Sequence, residues 1–272
     1  MSTATITRKN SVVYYLGPKG SFSHEAALNL SGEHREANTI TDVFKAVLTQ
    51  SNAFGVVPVE NSLEGPVNET LDNLYFEDEI FVGIEIQKKI DLVLATKDAA
   101  GEIKRIYSHP YALREAQHSL SRISAQLVPV ESTSKAATLA LQNSESAALC
   151  SRFAAKLYDL KVVHENLQDG VNITRFVAIS REISKTGEKT MLLTTVPHRP
   201  GGLYRLLERF YHANINLTMI YSRPIRNTPW HYYFYIEFDG EIDDRNVSSC
   251  LSSLSEVANV LKIKGSYHTK KA

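Results

Sequence analysis

Short apolar runs alternate with helix-like patterns over residues 11–179, and that alternation restricts this part of the chain to an α/β fold with ligands at the carboxyl ends of its strands. Residues 11–16 read as a strand stopping at Gly17 and Pro18, with Ser21 and Ser23 placed to cap a helix over 24–30. A helix over 41–51 leads into a strand over 54–59 that ends on Glu60, Asn61 and Ser62. Strands are expected at 80–86, 90–95 and 103–107, the last leaving through Ser108, His109 and Pro110 into a helix over 111–120. A strand over 126–130 leaves through Glu131, Ser132 and Thr133 into a helix over 135–141.

The pattern changes after Ser180. Residues 181–189, REISKTGEK, lack apolar periodicity and read as a linker. Beyond them the order is strand, helix, strand, strand, helix, strand, with strands at 190–196, 216–222, 231–238 and 260–268. In the first helix Leu203, Leu206, Leu207, Phe210 and Tyr211 share one face, which suits packing on a sheet. This βαββαβ order is the ferredoxin-like arrangement, a second domain of roughly 80 residues.

Three stretches gather glycine, proline, hydroxyls and amides where a strand ends and a helix can begin: GPKGSFSHEAA from Gly17, VPVENSLEGPVNETLDNL from Val57, and DGVNITRF from Asp169. Exposed backbone N–H groups and a helix dipole at such junctions suit a small anion. Lys plus Arg equals Asp plus Glu at 30 each, so no overall positive field exists to gather nucleic acid or an anionic membrane. The opening MSTATITRKN has no signal-peptide core, and no run approaches the roughly 20 apolar residues of a membrane span, which gives a cytoplasmic expectation. Cys150 and Cys250 lack metal-ligand spacing and read as buried thiols in helix-like patterns.

The motifs LGPKGSFSHEAA, GVVPVENSLEGPVNETLDNL, SHPYAL, STSKAA, NITRF, PHRPGGL and NINLTMIYSRP, in that order, resemble a monofunctional prephenate dehydratase with a C-terminal ACT domain. The resemblance implies two α/β lobes like type II periplasmic binding proteins over 11–180, with the second lobe at about 87–165, and an ACT regulatory domain over 190–268. It implies a carbon–oxygen lyase that takes water and CO2 from prephenate to give phenylpyruvate, in phenylalanine synthesis. It further implies a homodimer or homotetramer under feedback control by phenylalanine.

Aromatisation of the ring supplies the driving force, so neither an electron-sink cofactor nor a metal is expected. What remains is a donor to the departing hydroxyl and a grip on the side-chain carboxylate. By the resemblance, Thr174 is that donor, Arg175 offers a planar fork to a carboxylate, and Phe176 walls the ring. Ser21, Asn61, Ser62, Gly65, Ser132, Thr133 and Asn172 are expected to bind substrate. Taken alone, each has a plainer reading: Thr174 as a β-branched strand residue, Arg175 as a surface ion pair, Ser21 as a cap. His24 and His109 are assigned structural roles.

In the C-terminal half the effector is expected around Gly201, Gly202, Leu203, Ser222, Arg223 and Pro224. There the chain departs from the family pattern: Gly202 stands where alanine is usual and Tyr221 where glutamate is usual, so the effector site is open to a different aromatic amino acid. Tyr111 likewise stands where glutamine is usual. Two alternatives remain at this stage: an arogenate dehydratase, and a noncatalytic amino-acid sensor, against which the intact NITRF stretch argues.

Overall fold

A computed structural model describes residues 10–226 and 228–272; the polar opening stretch, residues 1–9, lies outside them. The first lobe contains β1 (Val12–Leu16), α1 (Phe22–Ala27), β2 (Glu33–Ala37), α2 (Ile40–Thr49), β3 (Ala53–Asn61), β4 (Gly65–Pro66), α3 (Asn68–Phe76) and β5 (Phe81–Lys89). Ser21 caps α1 by accepting from the His24 N–H, and Thr39 caps α2 by accepting from the Asp42 N–H. On α2, Ile40, Val43, Phe44 and Val47 form the buried stripe that holds the helix to the sheet.

The chain then crosses to a second lobe of β6 (Leu92–Thr96), β7 (Arg105–Ser108), α4 (Pro110–Glu115), α5 (Gln117–Leu120), β8 (Gln126–Pro129), α6 (Thr133–Gln142), β9 (Ser146–Ser151), α7 (Arg152–Leu157) and β10 (Lys161–His164). Its strands lie in the order β10-β6-β9-β7-β8. The chain returns as β11 (Ile173–Ser180), which inserts antiparallel between β3 and β5 of the first lobe. The two crossings are bonded to each other: Ile90 N–H donates to Asn172 O at 2.9 Å, and Leu92 N–H donates to Gln168 Oε1 at 2.9 Å. Those crossings put Asn172 and Thr174 at the hinge.

The C-terminal domain contains β12 (Lys189–Thr195), α8 (Gly202–His212), β13 (Leu217–Pro224), β14 (Tyr232–Asp239), α9 (Arg245–Ser255) and β15 (Val260–Lys271). It is not a separate body on a linker. Strand β15 runs past His268, and its last residues pair parallel with β5 from His268↔Ile84 to Lys271↔Gln87. One sheet therefore runs β13-β14-β12-β15-β5-β11-β3-β1-β2 through both parts. Gly265, at φ +123°, makes the passage possible, because a Cβ there would lie 2.5 Å from the Val82 carbonyl. The expected linker is tied down at both ends, by Arg181 to Glu79 at 3.1 Å and by Gly187 N–H to Glu241 at 3.0 Å. Lys189 already belongs to β12.

Several elements depart from the sequence expectations. Strand β2, EHREA, has no apolar alternation because it is a charged edge strand. Cys150 lies in β9 rather than in a helix: SAALCS is buried at every position, and a strand buried on both faces loses the period that would distinguish it. Helix 111–120 is two short helices, α4 and α5, meeting at Ala116. One continuous core joins Phe44, Leu71 and Tyr75 of the first lobe to Met191, Tyr233 and Tyr267 of the C-terminal domain. At its centre Tyr75 and Tyr233 stack with ring centroids 4.2 Å apart.

Candidate active site in the interlobe cleft

A cavity of about 250 Å3 lies between the lobes. Asn61, Asn172 and Thr174 reach it from the first lobe and the hinge, and Glu115, Ser132 and Thr133 from the second; Phe22, Ile90, Leu92 and Ala112 form its apolar wall. Thr174 sits opposite Asn61 in the β11/β3 register, so sheet pairing sets their distance.

Hydrogen bonds orient the Asn61, Asn172 and Thr174 side chains. Asn61 Oδ1 accepts from the N–H groups of Leu63 at 2.9 Å and Glu64 at 3.1 Å, which turns its amide nitrogen the other way. That nitrogen donates to Asn172 Oδ1 at 2.6 Å and to Thr174 Oγ1 at 2.9 Å. Thr174, 8% exposed, thus accepts through its oxygen and keeps its O–H for the cavity. Asn172, 3% exposed, accepts from Asn61 through Oδ1, so its own amide nitrogen turns away from Asn61. Burial pushes the Glu115 carboxyl up, against Asn172 and Arg114, which pull it down. Burial likewise raises the Glu64 carboxyl, helped by Glu115 and opposed by Arg114. On the facing lobe Ser132 caps α6 by accepting from the Lys135 N–H at 3.0 Å, so the first turn of that helix opens on the cavity.

Of the residues singled out in sequence, Asn61, Ser132, Thr133, Asn172 and Thr174 meet in this cavity. Others stand behind it. Ser62 accepts the Ile173 N–H at 2.9 Å, holding the turn against β11. Ser21 donates to Leu16 O at 3.0 Å and caps α1, while its neighbour Phe22 lines the cavity. Gly65, at φ +78°, lets the chain turn back onto β3.

Two expectations need correction. Arg175 does not offer its fork to the cleft: alternation along β11 turns it to the opposite side from Thr174, where Glu60, Glu85 and Glu237 hold it. Phe176, 2% exposed, packs with Val13, Tyr15 and Ile86 in the core under α1 and does not wall the cavity. Conversely, Glu64, His109, Glu115 and Glu131 line the cleft although their motifs do not mark them as ligand-binding. His109, expected to be structural, does cap α4, its ring accepting from the Tyr111 N–H at 3.4 Å. Burial, with Arg114, pushes its imidazole down, so it stays neutral near pH 7.

A second cavity, of about 240 Å3, lies in the C-terminal domain beside Leu203, Arg199, His198, His231 and Tyr232. Gly201, at φ +78°, and Gly202 start α8 next to it. Ser222, Arg223 and Pro224 lie on β13 and do not line it. Arg223 instead grips Asp72 of the first lobe, at 3.1 and 2.8 Å.

The fold and site thus define a two-lobed α/β protein with a hydroxyl- and amide-lined cleft and a C-terminal βαββαβ domain. The Prephenate dehydratase family model matches residues 13–184 and the ACT domain model residues 190–256. The chain is 40% identical over 276 residues to a bifunctional chorismate mutase/prephenate dehydratase of Aquifex aeolicus, covering 98% of this chain and 76% of that protein. It is 34% identical to a prephenate dehydratase of Lactococcus lactis, covering 94% of this chain and 96% of that one. The crystal structure of an Arthrobacter aurescens prephenate dehydratase in complex with L-Phe superposes with a TM-score of 0.85 at 28% identity, covering 94% of this chain and 90% of that chain. The chain belongs to the prephenate dehydratase family, is an enzyme of that carbon–oxygen lyase class, and carries an ACT domain at its C-terminus.

Proposed function

We propose that the chain converts prephenate to phenylpyruvate, water and CO2 in the interlobe cleft, with Thr174 as the donor to the departing hydroxyl. The observation that carries this reading is the one-way bond from Asn61 to Thr174 Oγ1, which leaves the hydroxyl proton free for substrate and polarises it. As the ring carboxylate leaves as CO2, its bonding pair enters the ring and the C–O bond opposite breaks. The departing oxygen takes a proton from solvent through the Thr174 hydrogen bond and leaves as water. Ser132, Thr133 and the first turn of α6 hold the side-chain carboxylate, and Asn172 keeps Asn61 in register. Such a preorganised donor contributes about 10²–10³-fold in rate.

L-Phenylalanine is the proposed effector, bound at the ACT domain around Gly201, Gly202, Leu203 and the Ser222, Arg223, Pro224 segment. The enzyme works in the cytoplasm as a homodimer or homotetramer; β13, the free end of the long sheet, carries an exposed Ile220 suited to pairing with a second copy. The test is incubation with prephenate alone, following phenylpyruvate, with and without phenylalanine. A folded chain that forms no phenylpyruvate overturns the reading.

One observation favours arogenate as a second substrate. Glu64 and Glu115 both line the cleft without a salt bridge among the described residues, and no lysine or arginine lines it. The amino group of arogenate gives those carboxylates a cation that the ketone of prephenate does not. Phenylalanine formation from arogenate tests this directly.

A further inference from the structure

We propose that Glu237, a residue of the ACT domain, is a positioning residue for Thr174, acting through Arg175. Glu237 and Glu85 are fully buried, and both close on the one guanidinium that follows Thr174 in the chain. Arg175 Nη2 donates to Glu237 at 2.8 and 2.5 Å and also to Glu85; Nε donates to Glu85 at 3.0 Å, and Nη1 donates to Glu60 at 2.7 Å. Glu60 and Asn61 are consecutive on β3, as Thr174 and Arg175 are on β11, and the register pairs Thr174 with Asn61 and Arg175 with Glu60. One face of this two-residue ladder is the hydroxyl–amide pair of the cleft. The other is the ion cluster, and the cluster is completed from another domain.

On the β3 side the ladder is broken close to Thr174: the β11/β3 register shifts between Arg175 and Phe176, while pairing with β5 stays in register from Ile173 to Ala178. The cluster adds charge-assisted bonds in a fixed fork on the interrupted side. Glu237 is itself held on the ACT side, accepting from Tyr235 OH at 2.5 Å and Tyr267 OH at 2.8 Å. Its carboxylate therefore cannot follow Arg175 freely, and a displacement of β14 or β15 pulls on the strand that carries Thr174. A second ACT tie, from Arg223 of β13 and the Tyr233 hydroxyl of β14 to Asp72 of α3, joins the same two domains without touching Arg175 or β11. It provides the control.

This inference rests on Thr174 being the donor, and the experiment separates the two. Glu237→Gln and Asp72→Asn are made in the full chain and assayed at a temperature where both are folded. Glu237→Gln is expected to lower kcat about 10-fold or more with KM within about twofold, because a donor displaced by a fraction of an ångström loses transition-state contact first. Asp72→Asn, which loosens β14 only through Tyr233 and leaves the Arg175–Glu237 fork intact, is expected to lower kcat clearly less than Glu237→Gln does, and Glu237→Asp to recover part of the loss. The Thr174 methyl resonance is followed in parallel and is expected to move in Glu237→Gln and not in Asp72→Asn. Equal kcat losses in Glu237→Gln and Asp72→Asn, or an unmoved Thr174 methyl in Glu237→Gln, overturn the proposal. Should Glu237→Gln fail to fold, Tyr267→Phe, which removes one bond to the carboxylate, is read the same way. A wild-type chain inactive on prephenate and arogenate refutes the dehydratase reading, while the methyl signal still decides whether Glu237 holds Thr174.

Discussion

Arg223, in the SRP segment of the ACT domain, forms a two-bond fork with Asp72 on helix α3 of the first lobe, at 3.1 and 2.8 Å. Arg226 and the Tyr233 hydroxyl close on the same carboxylate at 3.0 and 2.7 Å. A residue expected at the effector site is thereby part of the contact between domains.

Asp72→Asn leaves Arg223 partly buried without a counter-charge and is expected to cost about 3–5 kcal/mol of stability. Urea unfolding followed by tyrosine fluorescence measures it, and an unchanged midpoint removes Asp72 from the docking contact.

Asn61→Ala takes away the donor to Thr174 and leaves Asn172 Oδ1 without its partner. A kcat lower by about 10²-fold is expected, with a smaller change in KM. Thr174→Ser keeps the hydroxyl and is expected to retain more activity than Thr174→Ala. Equal rates for those two variants would be inconsistent with a hydroxyl donor.

Acid should loosen the docking of the ACT domain. Burial alone would raise the Asp72 and Glu85 carboxyls, but hydrogen bonds from Arg223 and Tyr233 to Asp72, and the Arg175 charge beside Glu85, win and hold both below their ordinary values. Groups depressed in this way contribute stability fully above the unfolded values and lose it as pH falls through the folded ones. Thermal midpoints are expected to be flat from about pH 7 to 5 and to drop below about pH 4. In Asp72→Asn the acid drop is expected to be shallower.

Lys264, 1% exposed, donates to the Glu77 and Ile80 carbonyls at 2.7 and 3.1 Å, and burial pushes its amine down to about 8. Above that value the unfolded chain binds the proton that the folded chain has released, so stability attributable to this group rises with pH from about 8 toward 10.5. The slope is at most about 1.4 kcal/mol per pH unit. Lys264→Met should lack that slope, and parallel pH profiles for the two proteins would show that the amine does not titrate in this window.

The sequence by itself determined the order of elements that have a period of their own. The alternation in the first part, the βαββαβ run and the capping serines Ser21 and Ser132 depend on local chemistry and are legible in one dimension; Asn61, Asn172 and Thr174 stand out only through the resemblance of their motifs to a family, since each alone reads as an ordinary turn or strand residue. Only the tertiary structure decided which side of a strand faces the cleft. Thr174 and Arg175 are neighbours in one motif, yet strand alternation sends one to the cavity and the other to three carboxylates drawn from β3, β5 and β14. Nothing local to Glu237 or Glu85 marks either as a partner of Arg175, because they lie 62 and 90 residues away along the chain. The same holds for the end of β15, whose pairing with β5 turns two apparent domains into one sheet: strand partners are chosen by the backbone hydrogen bonds left free when the rest of the chain has packed.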